Sequence, residues 1–315
     1  MARYFGRRLI QLIPILFGVS VVTFLLVRLI PGDPAISMLG SRATPALIAR
    51  IHRQFGLNLP IWQQYLHYMD GVFHANFGIS IFYEQSVWPL VVSRIPLTLE
   101  LLVYSAVIAL AIAVPLASIA AARRGGAVDH GIRLSATTAL GVPSFWLGIL
   151  LILLLGVRVR IFPVGGAGTG VADRLYSLTL PALTAGLAIT PILLRTLRSS
   201  LIEVLRADFV STARAVGLPR RTVFRSYILR NSILPCLTVL NVNIGWLIGT
   251  VIVVEDVFGL PGLGSLLVSS ISTRDYSIIQ LATLFFAFFV IAANLGMDLL
   301  YGVVDPRISL ARKAA

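Results

Sequence analysis

The chain has 315 residues, of which 57% are apolar and only 12% charged, and its mean hydropathy is +0.90. A soluble globular chain carries about 25% charged residues, which argues against one compact soluble domain, a disordered chain or a disulfide-built scaffold. Cys236 is the single cysteine and has no partner for an internal bridge; inside an apolar run it reads as a small buried hydrophobe.

An apolar run matches a hydrocarbon core of about 30 Å when it is about 17–25 residues long, at 1.5 Å rise per helical residue. Six runs qualify, over 9–30, 97–121, 134–157, 178–194, 233–254 and 278–301, and of the 39 charged residues only Arg28, Glu100 and Asp298 fall inside them. Arg3, Arg7 and Arg8 precede the first run in the manner of a secretory signal. The run exceeds a signal core of about 7–15 residues, so it reads as a retained helix.

Residues 31–96 form the largest non-membrane stretch. Pro31-Gly32-Asp33-Pro34 ends the first helix. Thr44 then supplies an N-cap and Pro45 a first helical residue for a short helix to about Gln54. A second short helix from about Pro60 carries Ile61, Tyr65, Tyr68, Met69, Val72 and Phe73 at 3–4 spacing, suited to a membrane–water boundary. Further on, the glycine-rich run 165–170 misses the dinucleotide-binding fingerprint, because its last required glycine is Val171; it reads as a flexible loop.

Residues 195–232 predict a helix, a turn and a helix. Leu201, Leu205, Phe209, Thr212, Ala213 and Val216 fall on one helical face, Gly217 suits a left-handed stop, and Pro219 suits the first position of the next helix. That next helix carries Arg220, Arg221, Arg225 and Arg230. In the fifth run Asn241 and Asn243 lie at mid-depth beside Trp246, and Gly245 and Gly249 form a Gly-x3-Gly packing stripe. Glu100 near the end of the second run, and Asn294, Asp298 and Tyr301 along the sixth, are further polar groups at lipid depth. Such groups face a pathway or bond a neighbouring helix.

With both termini in the cytoplasm, the inside segments hold 17 Lys/Arg in 72 residues and the outside segments 8 in 109. That is the positive-inside asymmetry. It explains the net charge of +13 without nucleic acid. The fold class is therefore an all-α integral membrane protein with six transmembrane helices. It divides into 1–30 with the first helix, an extracytoplasmic region 31–96 with short interfacial helices, and a core domain 97–315 containing the cytoplasmic loop 195–232.

Catalytic chemistry is missing. The only lysine is Lys313, so no Gly-x4-Gly-Lys-Ser/Thr phosphate loop exists, and the four histidines (His52, His67, His74, His130) have no metal-ligand spacing. No Gly-x-Ser-x-Gly nucleophile turn occurs. A secondary transporter would want a mid-span acid and two related halves, and neither is evident.

The run from Asp208 through Leu218 (Asp-Phe-Val-Ser-Thr-Ala-Arg-Ala-Val-Gly-Leu), followed by Leu229-Arg230-Asn231-Ser232-Ile233-Leu234-Pro235, resembles the cytoplasmic loop of ABC-importer permeases of the peptide/nickel group. Pro31 to Pro34, Phe55-Gly56-Leu57, Pro96 to Leu101, Phe162 to Gly166, Glu255 to Phe258 with Leu260 to Gly264, Arg274-Asp275-Tyr276 and Asp305-Pro306-Arg307 match in order. The long first outside region resembles the first, B-type permease of dipeptide and oligopeptide importers. Where the general importer loop begins Glu-Ala-Ala, this chain has Ser211, Thr212 and Ala213.

The resemblance implies a type I importer permease, not itself an enzyme, in the bacterial cytoplasmic membrane. Its expected partners are a second permease, two ATP-binding cassette subunits that hold ATP and Mg, an extracytoplasmic binding protein and membrane lipid. It also implies that Asp208, Ser211, Thr212, Ala213, Arg214, Gly217, Leu218 and Pro219 form the coupling element on an ATPase. Glu100, Asn241, Asn243 and Trp246 are the expected pathway residues, and peptide is the expected cargo, with nickel as the alternative.

Overall fold

In the computed structural model, residues 13–25, 34–39, 43–54, 56, 58–80 and 82–304 are described. The breaker at 31–33, Phe55, Leu57, the 305–307 motif, the N-terminal arginines, Arg28, Lys313 and the side chains of Asp298 and Tyr301 lie outside the described residues. The helices are α1 (Ile13–Leu25), α2 (Pro34–Leu39), α3 (Pro45–Gln54), α4 (Ile61–Phe73), α5 (Val87–Ala122), α6 (Ala127–Leu140), α7 (Ser144–Arg158), α8 (Val171–Val204), α9 (Asp208–Ala215), α10 (Arg220–Val242), α11 (Ile244–Val257), α12 (Leu263–Thr273) and α13 (Tyr276–Val304). A two-residue hairpin, β1 (Ile79–Ser80) and β2 (Gln85–Ser86), pairs antiparallel with Ile79 opposite Ser86. Compact contacts divide the chain into Met1–Thr98 with Pro261–Ile291, and Leu99–Leu260 with Ala292–Ala315.

In the first unit the short helices begin as the sequence predicts. The Thr44 hydroxyl accepts the Leu47 amide at 3.3 Å, with Pro45 at the first helical position. Pro60, in an extended conformation, caps α4. The α4 face splits in two. Tyr65 and Tyr68 pack on α1 against Phe24, and the Tyr65 hydroxyl lies 2.7 Å from that of Ser20. Ile61 and Phe73, expected on that same face, are exposed together with Trp62 and Leu66. At the other end of the unit the buried Ser80 hydroxyl donates to Asp275 Oδ2 at 2.5 Å, and Tyr83 OH lies 3.2 Å from Ser269 Oγ. Asp275 Oδ1 also accepts the Ile278 amide, so this carboxylate both anchors the hairpin and caps α13.

The second unit is built on α8. Ala109, Ala113, Ala117 and Ala120 of α5 are wholly buried, a ridge of small side chains that permits close approach. A Cβ on Gly186 of α8 would stand 2.9 Å from the Ser105 carbonyl oxygen, so the backbones of α5 and α8 meet there. Of the three helices long and apolar enough to cross a membrane (α5, α8 and α13), α8 is the most deeply buried. Its Thr184 and Thr190 hydroxyls donate to the Leu180 and Gly186 carbonyls, which satisfies them without water. Cys236 is buried, its Sγ 3.8 Å from the Leu193 carbonyl oxygen.

Two predicted spans are not straight helices. The run 134–157 divides into α6 and α7, bent by 107°, and the run 233–254 divides into α10 and α11, bent by 59°. Pro143 accounts for the first break: it lacks the N–H to continue α6, holds an extended conformation, and instead caps α7. At the second, Asn243 Nδ2 donates to the Val239 carbonyl at 2.8 Å and takes part of the ladder into its side chain. Among the described residues, therefore, three helices rather than six are long and apolar enough to cross as single rods, and up to five if each bent pair is one crossing, beside the shorter apolar α1 and α12. The loop expected to be flexible is tied down: the Thr169 amide donates to Asp173 Oδ2 at 2.6 Å, and Phe162 packs on Tyr176.

Candidate functional site: the α9 surface and the polar span residues

α8 ends at Val204, and after a three-residue turn α9 begins with Asp208 in its first turn, where a carboxylate meets the positive helix end. The Ser211 and Thr212 hydroxyls both donate back to the Asp208 carbonyl, at 2.7 and 2.9 Å. The stop is a Schellman turn: Gly217, at φ +85°, donates its amide to the Arg214 carbonyl at 3.0 Å, and the Leu218 amide reaches the Ala213 carbonyl at 3.3 Å. Pro219 sits one position earlier than predicted. Its ψ of 137° places it at the N-cap of α10, with Arg220 the first helical residue.

The turn between α8 and α9 breaks the single face predicted for Leu201 to Val216. Leu201 is buried in α8. In α9, Val210 and Ala213 are the buried pair, whereas Phe209, Thr212, Arg214 and Val216 are exposed. Val216, at 75% exposure, and Phe209 present unpartnered apolar surface beside the exposed Arg214 and Arg220. Ala213 faces the protein, so its part is to seat α9.

The expected pathway residues fall into two groups. Asn241 and Asn243 flank the α10–α11 bend; Asn241 Oδ1 is buried with no hydrogen-bond partner, and Trp246 is half-exposed. Glu100 lies elsewhere, paired with Arg174 at 2.6 Å in a largely apolar groove of about 730 Å³ whose walls include Val103, Tyr104 and Val107 of α5 and Val171, Leu175 and Leu178 of α8. The sequence does not single out Arg174, because a separation of 74 residues conceals the pair. Gly245 and Gly249 have open space around them, so among the described residues no helix packs on the predicted stripe. Gly186 and Gly148 are among the glycines that do admit close neighbours, the latter against Val257, Phe258 and Thr184.

At the opposite end of α8, Asp129 in the first turn of α6 is wholly buried beneath Arg198, which donates from Nε and Nη2 to both carboxylate oxygens at 2.6 Å. The Gly125 amide also donates to it, at 2.9 Å. These charge-assisted bonds, Arg198 foremost, hold the Asp129 carboxyl down at about 2 against the burial that opposes them. Among the described residues no group of three His, Cys, Asp or Glu is gathered as a metal site.

Long apolar helices and broken spans mark a multi-pass membrane protein. Residues 113–310 match the family described as "Binding-protein-dependent transport system inner membrane component", and residues 1–102 match its N-terminal counterpart. The chain belongs to this family, and is an inner-membrane permease subunit of the ABC-importer type in bacteria. It is 37% identical to the dipeptide transport system permease protein of Escherichia coli K12 over 98% of this chain and 99% of that one. The same figures hold for the oligopeptide transport system permease protein of Bacillus subtilis 168 and the glutathione transport system permease protein of E. coli K12. Among solved structures, an amino acid ABC transporter aligns over 67% of this chain and 92% of that one at 14% identity and TM-score 0.49, a likeness too slight to add to the family assignment.

Proposed function

We propose that this chain is the B-type permease of a peptide importer, pairing with a second permease and taking di- or oligopeptides from an extracytoplasmic binding protein. Both termini lie in the cytoplasm on this reading. Two ATP-binding cassette subunits, which carry the ATP and Mg, drive it. The observation that carries the reading is α9: a short helix, closed by a left-handed glycine, that offers Phe209 and Val216 with flanking arginines to an outside partner. Ser211 and Thr212 shape the helix by bonding its own backbone, Asp208 starts it, Leu218 and Pro219 turn the chain away, and Arg214 orients the partner.

Closure of the ATPases on bound ATP would move α9, and the chain responds only as far as the partner favours one of its two states. Glu100 with Arg174, and Asn241, Asn243 and Trp246, offer partners for the ammonium, carboxylate and amide groups common to all peptides. The relatives named above transport peptides or glutathione, which favours peptide over nickel.

The test is co-purification and uptake. Val216→Asp together with Phe209→Ala should strip the ATPase subunits from the purified permease and abolish uptake of labelled dipeptide by vesicles, with the chain still inserted. Full ATPase retention and unchanged uptake would sink the α9 assignment. Nickel uptake with no peptide uptake by the wild type would sink the cargo assignment.

A further inference from the structure

We propose that a basic recess where α5, α6 and α8 meet is a binding site for the phosphate headgroup of an anionic lipid. Two adjoining cavities, of about 360 and 420 Å³, share Arg133 and Arg198 in their walls. Arg124 opens onto the first and Arg195 onto the second. Asp129 is the only acid lining either cavity, and both its oxygens are taken by Arg198. Arg124, Arg133 and Arg195 have no ion-pair partner among the described residues, and all three are exposed. Three positive charges therefore face a recess already braced by a satisfied ion pair.

The position selects the ligand. Arg124 follows the end of α5 at Ala122, Arg133 directly precedes the apolar run 134–157, and Arg195 directly follows the run 178–194. The recess thus lies at one level, where three apolar segments end, which is the depth of a lipid phosphate. Leu134, 70% exposed, follows Arg133 on α6, and Leu194 lines the second cavity, so apolar side chains adjoin the charged mouth as a lipid requires. Guanidinium forks match phosphate oxygens in pairs, and a basic pocket between membrane helices is suited to an anionic headgroup.

The test uses the purified transporter, isolated through this chain and titrated with phosphatidylglycerol or phosphatidylcholine of the same acyl chains. Bound lipid is counted by native mass spectrometry. Phosphatidylglycerol should be retained and phosphatidylcholine lost. Arg133→Gln should weaken retention about fivefold, and Arg133→Gln with Arg195→Gln about 25-fold. Arg133→Lys should keep most of it, and Arg195→Gln alone, on a different helix, gives an independent arm if the Arg133 variant does not fold. Equal retention of the two lipids, or unchanged retention in the glutamine variants, overturns the proposal. Displacement of the lipid by millimolar inorganic phosphate would mark a site for a soluble anion, and loss of accompanying subunits with lipid retention intact would mark a protein contact. Either outcome also overturns it.

Discussion

Replacing Gly217 by valine puts the whole perturbation on the backbone. The residue sits at φ +85°, and a Cβ built there meets nothing within 4 Å, so the cost comes from the backbone conformation and not from a crowded Cβ. Holding an L residue in the left-handed region costs about 1–2 kcal/mol, and a β-branched one lies at the upper end. The chain can escape that strain only by turning φ negative. That gives up the amide bonds from Gly217 to Arg214 and from Leu218 to Ala213, each worth about 0.5–1.5 kcal/mol. The two routes cost the same order, so the closed turn loses roughly 5- to 30-fold in population whichever is taken. The assay is peptide uptake and ATP hydrolysis measured together on the intact transporter in liposomes. Gly217→Val should lower uptake at least in proportion to the lost population, while hydrolysis continues without its coupling to cargo. Gly217→Asn should retain most uptake, because asparagine tolerates this conformation. Wild-type uptake in the valine variant refutes the reasoning, and so does an asparagine variant as impaired as valine.

Asp129→Asn should lower the thermal midpoint, because Arg198 then loses its carboxylate; since the Asp129 pKa is depressed, its stabilisation is present above about pH 4 and fades as pH falls towards about 2, which thermal melts across that range would reveal. Asp275, just ahead of α13, has the opposite sign. Burial raises its pKa, so its contribution to stability is greatest at low pH and declines as pH rises through the raised value. Asp275→Asn, which can still accept from Ser80, should flatten that pH dependence and leave stability at neutral pH equal or higher, whereas Asp275→Ala should lower it. Gly186→Val should destabilise by about 1–3 kcal/mol by forcing α5 and α8 apart, and Gly249→Ala, in open space, should leave the fold of the isolated chain unchanged; comparative unfolding in detergent distinguishes them.

Hydropathy located α5, α8 and α13, because length and apolarity are local properties. It was blind to the breaks: Gly141-Val142-Pro143 is apolar enough to pass as span, although a proline there already argued for a boundary. The Gly217 stop was legible because glycine is the residue that most readily serves it, but the predicted face was wrong. The turn over 205–207 contains neither glycine nor proline, and a three-residue interruption rotates every later side chain. The Glu100–Arg174 and Asp129–Arg198 pairs join residues 74 and 69 positions apart, which no short-range pattern can reveal.

The contact of Gly186 with Ser105 has a mechanical meaning. Two rods that touch main chain to main chain leave no room for a side chain between them, so α5 and α8 are at their tightest packing there. The elbows near Pro143 and Asn243, where the rods are already cut, are the points at which this unit changes direction.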